Sequence, residues 1–238
     1  MKILLLSDIH GNAPALEAVA AQTAGTAFDL ICNCGDSTVY APFPNETLGW
    51  LCRHHALSIL GNTDIKVLKL LAGKTFKKPR LEEKRIMYTW TADHLTPGNK
   101  KFLRQLKKTM KLEVAGHRLG LFHGSPAHHN EFLFQETPAA RFRELAAESD
   151  CDIVISGHSH SPYHKKIDHV HFINPGSVGR MFDGCPDGSY AVLELTAAGI
   201  KVEHFRCPYD IEMVISALKK NHLPPIYEKM YRMGRKLN

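Results

Sequence analysis

The stretch Lys2-Ile3-Leu4-Leu5-Leu6-Ser7-Asp8-Ile9-His10-Gly11-Asn12 starts as an unbroken apolar run and ends in a polar turn with a glycine. A continuous run of this length reads as a strand buried on both faces, the pattern of a parallel sheet. Asn12 to Ala24 then reads as a helix, with Asn12 as N-cap and Pro14 in the first turn. The order repeats. Leu30–Asn33 is a second strand ending at Gly35-Asp36, Pro44 to His54 a helix, and Leu57–Leu60 a third strand ending at Gly61-Asn62. Strand, loop and helix in alternation imply a parallel sheet with helices packed on it, an α/β architecture.

Residues 65–110 differ, being mostly helical and basic, with Thr96-Pro97 as a helix start. Met110–Ala115 and Arg118–Phe122 read as a hairpin around Gly116-His117. Thr137-Pro138 opens a helix to about Ser149, and Asp152–Ser156 is a short strand ending at Gly157-His158. Tyr163–Ile167, His171–Asn174, Tyr190–Leu195 and Ile200–Arg206 read as antiparallel strands, and Pro208 is expected to start the final helix. With no repeat and no linker, residues 1–238 are expected to form a single domain, with 65–110 as a helical insertion or cap.

The chain has 238 residues, 44% hydrophobic and 23% charged, which excludes disordered and fibrous classes. No stretch of about 20 apolar residues occurs, so no membrane helix is expected. The N-terminus turns acidic at Asp8, too early for a signal peptide, and a cytoplasmic protein is expected. The six cysteines form no Cys-x-x-Cys pair, and Cys32 and Cys34 read as small core residues on one face of a strand. The net charge of +6 fits an anionic substrate and also simple solubility. The basic clusters at 74–80, 100–111 and the C-terminal tail read as solvated faces, so nucleic acid is not an expected partner. A homo-oligomer is compatible with the sequence.

Five polar clusters follow strands in order: Asp8-Ile9-His10-Gly11-Asn12, Gly35-Asp36, Gly61-Asn62-Thr63-Asp64, His123-Gly124 and Gly157-His158-Ser159-His160. Side chains beyond the carboxyl ends of such strands converge on one crevice. Asp8, His10, Asp36, Asn62, His123, His158 and His160 then bring together two carboxylates, one amide oxygen and four imidazoles. That donor set suits Mn, Fe, Ni or Zn. Seven ligands are too many for one catalytic metal and enough for two that share a bridging carboxylate, the arrangement that clamps the oxygens of an in-line displacement at phosphorus. Each cluster alone has an ordinary reading as a turn or a cap. The five together do not.

This ordered set resembles the calcineurin-like metallophosphoesterases, and Asn174-Pro175-Gly176-Ser177 with Val178-Gly179-Arg180 resembles the smaller prokaryotic phosphodiesterase branch. The resemblance runs from about Met1 to Leu195. It implies a four-layer αββα sandwich of two mixed sheets flanked by helices. It also implies that Asp8, His10 and His160 hold one divalent ion, that Asn62, His123 and His158 hold the other, and that Asp36 bridges. Asp36, Asn62 and His123 are the residues expected at the reacting centre, where a metal-bridging hydroxide would attack phosphorus in line. A phosphodiesterase acting on a small phosphate ester is the expected function. The alternatives are a phosphomonoesterase and a non-catalytic protein-binding scaffold on the same fold. A nuclease is set aside, since nucleases of the family carry further DNA-binding domains.

Many family members have histidine where this chain has Thr63, and a threonine hydroxyl cannot replace imidazole as a general acid. His54, His55, His128 and His129 are the free histidines that could substitute. Two residues are candidates for contact with substrate. Asn12 could bond substrate or cap its helix, and Arg180 could clamp phosphate or be a surface arginine. Asp64 is expected to cap the helix that follows it, and Trp50 and Trp90 are expected to pack.

Overall fold

Alternation along the first strand decides the layering. Ile3 and Leu5 face one apolar cluster while Leu4 and Leu6 face another. Burying such a side chain stabilises by about 1.5–3 kcal/mol, so the strand is held from both sides. The computed structural model describes residues 1–197 and 199–238.

The first sheet contains β1 (Lys2–Leu6), β2 (Leu30–Asn33), β3 (Leu57–Ser58), β9 (Gly188–Thr196) and β10 (Gly199–Cys207), in the order β10-β9-β1-β2-β3. β1, β2 and β3 run parallel, and the β9–β10 hairpin joins antiparallel beside β1. The second sheet contains β4 (Thr109–Val114), β5 (His117–Phe122), β6 (Ile153–Ile155), β7 (Tyr163–Ile167) and β8 (Val170–Asn174), in the order β4-β5-β6-β8-β7. The sheets face each other across Ile3, Leu5, Ile59, Leu121, Ile155 and Leu193. Cys32 and Cys34 lie on that same inner face, both fully buried.

Helices cover the outer faces. α1 (Ala13–Gln22), α2 (Pro44–Arg53), α3 (Asn62–Leu71), α4 (Glu82–His94), α5 (Pro97–Gln105), α7 (Ile211–Lys220) and α8 (Ile226–Met233) share one cluster on the first sheet. α6 (Ala139–Ser149) packs Phe142 and Leu145 on the second. The result is the four-layer αββα sandwich. The helices at 62–105 place Val67, Met87, Tyr88 and Leu103 in the same cluster as α1 and α2. Among the described residues no helix is long and apolar enough to cross a membrane.

The strands expected to be antiparallel pair so, β7 with β8 and β9 with β10, while β5, β6 and β8 run parallel in the middle of the second sheet. Two expectations are corrected. The helix expected from Pro208 begins at Ile211, because the Asp210 side chain accepts the Met213 N–H and caps it there. Nor is it the last helix: Pro224-Pro225 ends the turn after α7, and α8 follows. The third strand is shorter than expected, and Ile59 continues it only as an isolated bridge to Lys107.

Candidate metal centre

Loops at the carboxyl ends of β1, β2, β3, β5 and β6 meet at one point. Backbone bonds lace them together: Asp8 N–H to Gly35 O (3.0 Å), His10 N–H to Asp36 O (2.8 Å), Gly157 N–H to His123 O (2.9 Å) and Gly179 N–H to Asp8 O (3.2 Å). Asp8, His10, Asp36, His158 and His160 all adopt positive φ, between 51° and 65°. Left-handed backbone costs a non-glycine residue roughly 1–2 kcal/mol, so these loops hold strain that their mutual bonds offset.

Two groups of donors result. Asp8, His10 and His160 lie with their ligand atoms within 4.8 Å of one another, and so do Asp36, His123 and His158. In the first group His10 Nε2 is 3.2 Å from His160 Nε2, which is 3.3 Å from Asp8 Oδ1. In the second, His123 Nε2 is 3.1 Å from Asn62 Oδ1 and 3.1 Å from His158 Nδ1. Asp36 lies between the groups. Its Oδ1 is 3.6 Å from His123 Nε2, and its Oδ2 is 3.9 Å from His10 Nε2. All seven residues singled out from the sequence as ligands are thus brought together.

The set fits cations. His10, His123 and His160 each direct Nδ1 at a backbone carbonyl, of Thr38, Cys34 and Arg180 respectively. Donating there leaves the Nε2 lone pairs facing inward, as metal-bound imidazoles require. Two nitrogens bound at about 2.0–2.1 Å to one ion at ordinary angles stand about 3.0–3.4 Å apart, which matches the His10–His160 spacing. Ser7 Oγ and the His158 N–H occupy Asp8 Oδ2, while Oδ1 is buried with no hydrogen-bond partner among the described residues. A buried carboxylate oxygen left unpaired is costly unless a cation completes it.

The buried groups shift one another's charge states. Burial would raise the Asp8 carboxyl, but His160, His123 and His10 together outweigh it and hold Asp8 below the usual carboxylate range. Burial raises Asp36 to about 6, with Asp8 and Asp64 adding to the rise and His123 opposing it. Burial, then His160, holds His10 well below its ordinary value, and burial, then His123, brings His158 down to about 3. Neutral imidazoles are the form that ligates. His123 runs the other way: burial would lower it, but Asp36 and Asp8 outweigh burial and raise it, so a cation binding there must displace a proton.

Supporting residues came less easily from the sequence. Asp64 does cap α3, accepting from the Gly61 N–H at 3.0 Å, but it also accepts from the Ser37 and Thr38 N–H groups and so ties the Asp36 loop to α3. Asn174 donates to Gly157 O and Ser159 Oγ and steadies the Gly-His-Ser-His turn. Thr63 is buried, with its hydroxyl on Thr38 O and its N–H on Asp36 Oδ1.

Asn12 takes its capping role. Its Oδ1 accepts the Ala15 N–H, its Nδ2 donates to Gly179 O, and the residue is fully buried, so the alternative of bonding substrate is not the one realised. Arg180 is no surface residue. It is 6% exposed, lies over the Tyr40 ring at 4.1 Å, and lines a cavity of about 340 Å³ with His10, Asp36, Asn62, His158 and His160. Of the free histidines, His54 stacks on Trp50 and bonds its carbonyl. His129 alone stands against the centre, with its ring centroid 5.4 Å from that of His123.

Sequence reasoning missed Tyr40, Lys84, Phe132, Phe134, Phe182 and Lys236, which also line the cavity. Their only local signal was the pair Phe132-x-Phe134 in a stretch without helical or strand periodicity.

The fold and this centre define a metal-dependent phosphoesterase. Residues 1–198 match the calcineurin-like phosphoesterase superfamily domain, and the chain belongs to that superfamily. An uncharacterized protein of Methanocaldococcus jannaschii is 30% identical over 250 residues, covering 98% of each chain. A metallophosphoesterase from Sphaerobacter thermophilus superposes with a TM-score of 0.82 at 26% identity, covering 98% of this chain and 99% of that one. A hypothetical protein from Pyrococcus horikoshii OT3 shares the fold with a TM-score of 0.88 at 17% identity, covering 99% of both.

Metal binding should stabilise the chain. A ligand at about 100 times its dissociation constant adds about 2.7 kcal/mol, or roughly 5–10 °C in Tm for a chain of this size. Calorimetry of chelator-stripped protein, before and after adding Mn, Fe, Ni or Zn, checks this. No rise with any of the four would overturn the metal assignment.

Proposed function

We propose that the chain is a phosphodiesterase for small phosphate esters. In this reading Asp8, His10 and His160 would hold one divalent ion, Asn62, His123 and His158 would hold the second, and Asp36 would serve both. The observation that carries the diester preference is a cleft with two chambers. The 340 Å³ cavity adjoins another of about 430 Å³, lined by Lys66, Lys69, Lys108 and His129, and both share Asn62, Phe132 and His158. A diester has two substituents on phosphorus, and the ligand cluster has space on both sides. A monoester needs only one.

Two bound ions would supply Lewis acidity and a water of lowered pKa. The chain's own residues do the rest. Asp8 and Asp36 provide the negative charge that holds cations. Arg180 offers guanidinium donors to the phosphoryl oxygens, kept in place by the rings of Tyr40, Phe182 and Tyr227. Thr63, with its hydroxyl committed to Thr38 O, gives no proton to the leaving oxygen.

The test compares bis-p-nitrophenyl phosphate with p-nitrophenyl phosphate across Mn, Ni, Fe and Zn. Diester turnover at least about tenfold faster is expected, and a ratio favouring the monoester would replace this reading with a phosphomonoesterase.

Because a positioned acid contributes roughly 10²–10⁴-fold, Thr63→His should raise turnover of a poor leaving group such as an alkyl ester by about 10²-fold. The p-nitrophenyl diester should change far less. Equal effects on both esters, at unchanged metal content, would remove Thr63 from this account.

A further inference from the structure

The cleft holds more cationic and aromatic surface than a simple diester uses. Arg180 is buried, its Nε has no hydrogen-bond partner among the described residues, and its Nη2 donates to the Met230 sulfur rather than to an anion. Among the described residues neither Arg180, Lys84 nor Lys236 forms an ion pair, and all three line the same cavity. A buried guanidinium without a counter-charge is expensive, and an anion bound beside it relieves that cost. Lys84, half-buried on α4, is pulled down by burial and then by Lys236 and Arg180, so the three cations crowd one another. One diester phosphate brings a single negative charge. Three unpaired cations on one wall call for more.

The other wall is aromatic. Phe132 and Phe134 are 52% and 39% exposed, with ring planes within 7° of each other. Phe132 also stacks on the His158 imidazole at 4.1 Å. An exposed ring pair beside a phosphoryl site gives a planar base a face on which to stack.

We infer that the cleft takes a nucleotide carrying at least two phosphates, its base on Phe132 and Phe134 and a phosphate that is not cleaved on Arg180, Lys84 and Lys236. The inference rests on the phosphoesterase reading of the site and narrows its substrate class. A cavity of about 340 Å³ falls in the range usual for small-molecule sites.

The test is binding without turnover. Isothermal titration of the manganese-loaded full chain uses three probes: α,β-methylene-ADP, methylenediphosphonate and adenosine. The nucleotide analogue is expected to bind about tenfold tighter than methylenediphosphonate, from stacking of one base. Adenosine is expected to bind more weakly than either. The double variant Phe132→Ala, Phe134→Ala should erase the preference for the analogue over methylenediphosphonate, and Phe132→Tyr should restore most of it. Lys84→Gln should weaken both phosphonates by several-fold and leave adenosine unchanged. Equal binding of the analogue and methylenediphosphonate, or a preference that survives the double variant, would overturn the base platform. Adenosine binding as tightly as the analogue would overturn the phosphate wall. Since no step is hydrolytic, failure here differs from failure of the diester assay: an active diesterase indifferent to the base refutes only this inference.

Discussion

Asp36→Asn is expected to lower kcat/KM on bis-p-nitrophenyl phosphate by about 10³-fold or more, about 4 kcal/mol in the barrier. Asp36 has an oxygen toward each donor group, at 3.9 Å from His10 Nε2 and 3.6 Å from His123 Nε2. The Thr63 N–H donates to Oδ1 at 2.7 Å. That bond forces the amide of the variant to place its oxygen there and its NH₂ toward His10. A donor group then points where a cation should sit, and one negative charge is gone. Metal content after desalting should fall from two ions toward one per chain.

The same variant separates loss of function from loss of fold. A carboxyl raised by burial destabilises the folded state at pH values above its unfolded value of about 4. Asp36 is raised to about 6. Metal-free Asp36→Asn should therefore melt higher than the metal-free parent at pH 7, and the difference should vanish below about pH 4. A variant that melts lower at pH 7 and loses activity would report a folding defect, and the metal-bridging role would lose its support.

The strand ends were legible in the sequence because each ligand cluster sits just past a run of apolar residues, and glycine marks the turn. Local pattern and final position coincide for Asp8, Asp36, Asn62, His123 and His158. The cavity wall was not legible. Lys84, Phe132, Arg180 and Lys236 come from α4, a loop, the turn after β8 and the C-terminal tail, and only tertiary packing brings them together. Asn12 shows a different limit. As a residue type it serves equally as a cap or a ligand contact, and the choice depended on Gly179, far along the chain, whose carbonyl takes its amide. The C-terminal helices were misplaced because two signals competed. Pro208 reads as a helix start, but the Asp210 side chain makes the capping bond.

Gly61→Ala is expected to destabilise the chain by about 3 kcal/mol, at the upper end for overpacking, or roughly 6–12 °C in Tm. Backbone conformation is not the reason: Gly61 has φ −90° and ψ −178°, open to any residue. The reason is contact. A Cβ at this position would lie 2.0 Å from Asp36 Oδ1 and 2.2 Å from Asp36 N. Asp36 cannot yield cheaply, because its carbonyl takes the His10 N–H and its carboxylate takes the Thr63 N–H. Any relief must pull the β2 loop away from the β3 loop and so separate Asp36 from Asn62. Loss of stability and loss of metal should therefore appear together. Gly98→Ala is the matched control. It lies in the first turn of α5, and a Cβ there meets nothing within 4 Å. Replacing a helical glycine that has room should stabilise by about 0.5–1 kcal/mol. Thermal melts of the two variants, with metal content measured in parallel, should move in opposite directions. If Gly61→Ala melts like the parent and keeps both ions, the loops are looser than these contacts require, and the strained ligand backbone must be held by something other than the packing of Gly61 on Asp36.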